Sequence, residues 1–175
     1  QKTNNMKKTL ATIITVGALV ASSYAQGTVN FANAAASVVK QWTTLTDPTL
    51  INVPAAGGRV ELLWAAVGTT DLTAFSSINA TANFIAPGRF SGGTVTIPVT
   101  VAGSGAALVV RGWTGASLTW AGITDTDQRG YSSIFTLAAT GNPTTVPPGT
   151  PASINPAFTG LTVVPIPEPS SMVLA

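Results

Sequence analysis

In Thr94-Val95-Thr96-Ile97-Pro98-Val99-Thr100-Val101 every odd position is aliphatic and every even one is threonine or proline. That alternation is the period of a strand with one buried and one wet face. Pro98 cannot donate to a ladder, so the pattern predicts an edge strand or a bulge here. Two other runs, Arg59 to Val67 and Ala106 to Trp113, are apolar on both parities, as expected of strands in the middle of a packed layer. The second follows the alternating strand after Gly103-Ser104-Gly105, which predicts a hairpin between the two. Val29 and Phe31 alternate with polar neighbours and predict a first strand. Ile134 opposed to Phe135 and Leu137 predicts another within Ser132 to Ala138, and Leu161 to Val164 a last one.

Between these strands the signals are turns. Asp47-Pro48, Pro54 to Gly58 and Ala86-Pro87-Gly88-Arg89 are breaker clusters, and Gly141 to Pro156 carries too many prolines for regular structure. Two stretches are ambiguous. Ala34 to Lys40 fits one or two helical turns, weakened by the β-branched Val38-Val39 pair. Asp71 to Ala82 spaces Leu72, Phe75 and Ile78 for a short helix but is rich enough in Thr, Ser and Asn to be a loop. The expected fold is all-β: an immunoglobulin-like or jelly-roll-like β-sandwich of about seven to nine short strands over residues 26–164.

Composition agrees with that class. The 175 residues are 45% hydrophobic but only 8% charged, with 17 glycines and 12 prolines, which suits short strands and many turns. The length fits one domain. Without cysteine there is no disulfide framework or thiolate site, and without histidine the commonest general base and metal ligand are both missing. The formal charge of +2 includes Lys2, Lys7 and Lys8. Beyond residue 25, five basic residues (Lys40, Arg59, Arg89, Arg111, Arg129) meet six acidic ones (Asp47, Glu61, Asp71, Asp125, Asp127, Glu168), so no footprint for nucleic acid is expected.

The termini carry different signals. Gln1 to Asn5 read as lying upstream of a start at Met6; Lys7-Lys8 then form a positive segment and Leu10 to Ala21 an apolar one, ahead of the small residues Ser23 and Ala25. This is the pattern of a secretory signal peptide, a leader helix over 1–25 cut between Ala25 and Gln26. At the other end Pro165, Pro167 and Pro169 hold residues 165–175 extended, and an apolar run begins at Met172. The triplet Pro167-Glu168-Pro169 resembles the start of a PEP-CTERM sorting signal. The body is similar to small exported proteins of that type in its Gln26 to Phe31 opening, Gly92 to Pro98, Val109 to Trp113 and Ser132 to Phe135.

The resemblance implies secretion by a Gram-negative bacterium, with signal peptidase and then a membrane-embedded exosortase as processing partners. It also implies delivery to the cell surface, outer envelope or extracellular matrix. The full signal continues into a membrane helix and an arginine cluster, which would give transient membrane association; both are missing here, and the sequence is expected to be a fragment.

The inventory for catalysis is thin, and no enzyme activity or cofactor is expected. Ser132 and Ser133 have no histidine to activate them, Glu61 lacks a carboxylate partner that sequence can place, and Asp125-Thr126-Asp127 reads as a solvated turn, not a calcium loop. Arg111, inside an apolar strand, requires a counter-charge, and Glu61 in the other central strand is the expected partner for a structural ion pair. No metal site is expected. Trp64 and Trp113 read as core, whereas Trp42 and Trp120 could stack on sugar rings. The alternative to a passive surface protein is therefore a carbohydrate-binding module that takes exopolysaccharide in the matrix.

Overall fold

The computed structural model describes residues 26–98 and 100–166. The leader, with Ala25, and the triplet Pro167-Glu168-Pro169 lie outside the described residues. Among those described the fold is all-β, with eleven short strands and no α-helix. They are β1 (Gly27–Ala32), β2 (Val39–Trp42), β3 (Leu50–Asn52), β4 (Gly58–Ala65), β5 (Ser76–Ala86), β6 (Arg89–Ile97), β7 (Ala106–Thr114), β8 (Gln128–Tyr131), β9 (Phe135–Leu137), β10 (Ala152–Ser153) and β11 (Leu161–Pro165). Ten of them form one curled sheet in the order β10-β1-β6-β5-β4-β7-β8-β11-β2-β3, and β9 pairs with β7. No helix of the described residues is long and apolar enough to cross a membrane.

The centre is the antiparallel pair β4–β7, in register from Gly58 opposite Thr114 to Ala65 opposite Ala107. Its inner face contributes Val60, Leu62, Leu108 and Val110 to one core with Val29 and Phe31 of β1, Phe90 and Ile97 of β6, and Phe158. The Phe90 ring sits 4.9 Å from Phe31, tilted, and 5.9 Å from Phe158, edge to face, geometries that aromatic pairs favour. The outer face of the same strands is apolar too. There Leu63, Ala65, Ala107 and Val109 are covered by Phe75 and Ile134. A short 3-10 turn, Leu72–Ala74, delivers Phe75. Asp71 caps it by accepting the Thr73 N–H, and this bond holds the Asp71 carboxyl below the ordinary carboxylate range. The cap contributes above the unfolded carboxyl pKa and is lost as pH falls through the folded one.

Several sequence expectations change. Ala34 to Lys40 is a turn followed by β2, because Val39 enters the core as a strand residue. Asp71 to Ala82 holds only the 3-10 turn and then most of β5, the longest strand. These segments, with β3 and β10, bring the strand number above the expected nine. The alternating strand begins earlier and ends earlier than its pattern suggests: β6 runs through Gly92-Gly93 and stops at Ile97, leaving Val101 exposed. Gly92-Gly93 is a bulge, since Asn30 and Ala32 oppose Thr94 and Ser91 with one extra residue on β6. Phe31 fills the space beside it; a Cβ on Gly92 would lie 2.5 Å from Phe31 Cδ1. Pro98 falls just past the strand end, so β6 loses no ladder bond and sits between β1 and β5, not at an edge. The expected hairpin with β7 is absent among the described residues; β7 pairs with β4, β8 and β9.

One open edge is β3. Thr43 donates its N–H to the Thr49 carbonyl at 2.9 Å and Val53 donates to the Val39 carbonyl at 3.1 Å, so the odd residues of this strand face β2. Leu50 and Asn52 therefore turn their backbone groups outward. Pro48 and Pro54, on the same alternation, bring no N–H to that edge.

Phe90→Ala should cost about 3–5 kcal/mol of stability, because the Phe31 and Phe158 rings lose the ring they both pack against in a close-packed core. Urea denaturation followed by tryptophan fluorescence reads this directly.

Candidate functional site

Outward residues of β5, β4, β7 and β8 line up as Thr81, Glu61, Arg111 and Tyr131, each opposite the next across the sheet. The row carries the only ion pair within 4.0 Å among the described residues. Arg111 Nη2 is 2.7 Å and Nε 2.8 Å from Glu61 Oε2, on side chains that are largely buried. Glu61 Oε1 also accepts a hydrogen bond from the Ser77 hydroxyl. Ser77 comes within reach because β5 bulges. Leu62 opposes Ala80 and Leu63 opposes Ser77, so Ile78 and Asn79 are extra, and Asn79 takes a left-handed φ of 57°. The Asn79 N–H then closes onto Ser77 Oγ at 2.9 Å.

Over the other side of the row lies the loop after β7. Trp113 is fully buried on the outer face, and its indole N–H donates to the Ser117 carbonyl at 2.8 Å, tying the loop down. A second 3-10 turn, Trp120–Gly122, then sets the Trp120 ring edge-on to Trp113 at 6.0 Å and 5.0 Å from the Tyr131 ring. The Arg111 guanidinium lies 4.8 Å from the centre of the Trp120 ring and that of Arg129 5.8 Å from it, both within cation–π range. Between loop and bulge runs a groove of about 430 Å³. Glu61 and Arg111 line it, with Ser77, Asn79 and Thr81 from β5 and Leu118, Thr119, Trp120 and Ala121 from the loop.

The other sequence candidates lie elsewhere. Trp42 borders a separate hollow of about 590 Å³ with Leu45, Asp125 and Val164 to Ile166. Its backbone is bracketed by the Gln128 amide, which accepts the Trp42 N–H at 2.8 Å and donates to the Trp42 carbonyl at 2.9 Å. Trp42 and Trp120 thus line different hollows and do not share a platform. Trp64 is half-buried against the inner core. Gln26, half-buried, directly precedes β1.

The residues weighed for chemistry have structural partners. The Ser132 hydroxyl accepts the Val110 N–H at 3.0 Å and donates to the Ser133 carbonyl at 2.8 Å. Asp127 Oδ2 accepts from the Thr124 N–H and hydroxyl, both at 2.9 Å, which closes the turn before β8. Among the described residues no group of three or more acidic side chains is placed to hold a metal ion.

Ser77, Asn79 and Thr81 are groove residues that sequence reasoning passed over. Their signal was present as an alternation, Ile78, Ala80, Ala82 and Phe84 apolar against Ser77, Asn79, Thr81 and Asn83 polar. Compared with known proteins, the chain matches no family model, no curated protein and no solved structure.

Glu61→Gln should destabilise the fold by about 2 kcal/mol, because it leaves the Arg111 cation without its counter-charge in a site of low exposure. The double replacement Glu61→Leu with Arg111→Met should come within about 1 kcal/mol of wild type, since an apolar pair avoids the desolvation cost. A double-mutant cycle from urea midpoints measures the coupling.

Proposed function

We propose that this is an exported, non-enzymatic protein of the cell surface or extracellular matrix of a Gram-negative bacterium. It is released from its leader between Ala25 and Gln26 and sorted through Pro167-Glu168-Pro169 by exosortase. The supporting observation is where the sheet begins and ends. β1 opens at Gly27, two residues after Ala25, and β11 closes at Pro165, two residues before Pro167. The described strands thus fall within the interval between the two addresses. On this reading the curled sheet is a β-sandwich of the immunoglobulin-like or jelly-roll kind. Its support is that inward residues of β1 and β6 share one core with those of β4 and β7.

A second reading, a carbohydrate-binding module, is favoured by the polar groove beside Trp120 and Tyr131. Aromatic rings next to hydroxyl and guanidinium donors suit the alternating apolar and polar faces of a sugar.

The sorting reading is tested by Glu168→Ala in the gene with its downstream codons, expressed in a Gram-negative host that carries an exosortase. The variant should accumulate as an unprocessed, membrane-retained precursor, while wild type appears in the surface fraction on immunoblots. Identical processing and location of the two would end this reading.

A further inference from the structure

Three of the five basic residues between 26 and 166 stand on the outer face of the central strands. Arg59 of β4 and Arg129 of β8 both oppose Trp113 of β7, and Arg111 is one step along, opposite Glu61. Glu61 is the only acid on those strands. Its pairing with Arg111 is the only salt bridge among the described residues, so Arg59 and Arg129 have no ionic partner there. The strand surface around the groove therefore carries more cation than anion, although the chain from 26 to 166 is balanced.

The pair itself is not closed. Glu61 takes Arg111 Nε and Nη2, which leaves three of the five guanidinium N–H groups without an acceptor among the described residues. None of these is a sealed, unsatisfied buried group. Glu61 also fixes the plane of the guanidinium, and Trp120 lies against it at 4.8 Å. A guanidinium held in one orientation with N–H groups still free is prepared for a planar, two-oxygen anion. The Thr81 hydroxyl and the Asn79 amide, which make no side-chain hydrogen bond among the described residues, line the same groove. They are neutral groups that suit hydroxyls. On the opposite side the exposed Tyr131 ring lies against Trp120 at 5.0 Å.

We infer that this groove binds uronic-acid units of an acidic polysaccharide. Arg111 takes the carboxylate, Arg129, 5.8 Å from the Trp120 ring, adds positive charge at the border of the groove, and Thr81 and Asn79 take ring hydroxyls. The inference rests on the carbohydrate-binding reading and names its ligand class. A volume of about 430 Å³ is within the range of small-ligand clefts, about 300–1,000 Å³. Arg129 and Arg59 lie two strands apart, about 10 Å, so the cationic surface extends past a single site, as a polymer requires.

The test uses the mature exported chain and three probes: trigalacturonate, a dextran oligosaccharide as its neutral counterpart, and polyphosphate as an anion without sugar hydroxyls. Calorimetry should show binding of trigalacturonate that weakens as salt rises. Arg129→Gln, an exposed position, should weaken it about tenfold. Thr81→Trp, also exposed, should abolish it by filling the groove, and both variants should melt at the wild-type temperature. Equal binding of dextran would overturn the role of the arginines and leave a general sugar groove. Binding of polyphosphate as strong as that of trigalacturonate, or an unchanged affinity in either variant, would overturn the proposal. Binding of neither saccharide would remove the carbohydrate reading with it.

Discussion

β4 and β7 are paired over eight residues and apolar on both faces, so neither face can be left in water. The curl of the sheet covers the inner face, bringing β1 and β6 across the core with Phe31 and Phe90. Among the described residues the outer face has no second sheet and is covered in pieces: Phe75 and Ile134 at one end, the loop over Trp113 at the other. Between those pieces the cover is incomplete, and there the outward residues change from aliphatic to Glu61 and Arg111. The ion pair is thus where a doubly buried strand pair meets solvent, and the groove is the gap itself.

That origin explains why the gap is polar and shaped. A guanidinium among aliphatic neighbours needs a counter-charge, and the carboxylate opposite it needs further donors, which the bulge in β5 supplies through Ser77. Trp120 completes the arrangement from the loop side and accepts two guanidiniums against its ring. Each contact fixes the next, so the site is built on strands on three sides and on the tied-down loop on the fourth.

How much of this could be read from the sequence depended on whether a strand's neighbours resemble it. β4 and β7 were legible because burial on both faces writes apolar residues at every position, and Arg111 stood out against that background. β5 was not, because its outward Ser, Thr and Asn residues are those of loops, and its apolar partners Ala80 and Ala82 are too small to mark a buried face strongly. β6 was misplaced because paired glycines usually end a strand, whereas here they make the bulge that admits Phe31. Pro98 misled in the same way: its missing donor matters only inside a ladder, and the ladder ends one residue before it. The pairing of strands distant in sequence, such as β1 with β6 and β11 with β2, has no local signature at all.

The two prolines that bracket β3 bear on crowding. Copies standing shoulder to shoulder on a surface are each other's most abundant neighbours, and a bare strand would let them zip together backbone to backbone. With Pro48 and Pro54 at the positions that would otherwise present donors, only Leu50 and Asn52 are left to pair outward, too few to hold a foreign strand. At this edge, neighbouring copies would find too few free backbone groups to add strand to strand.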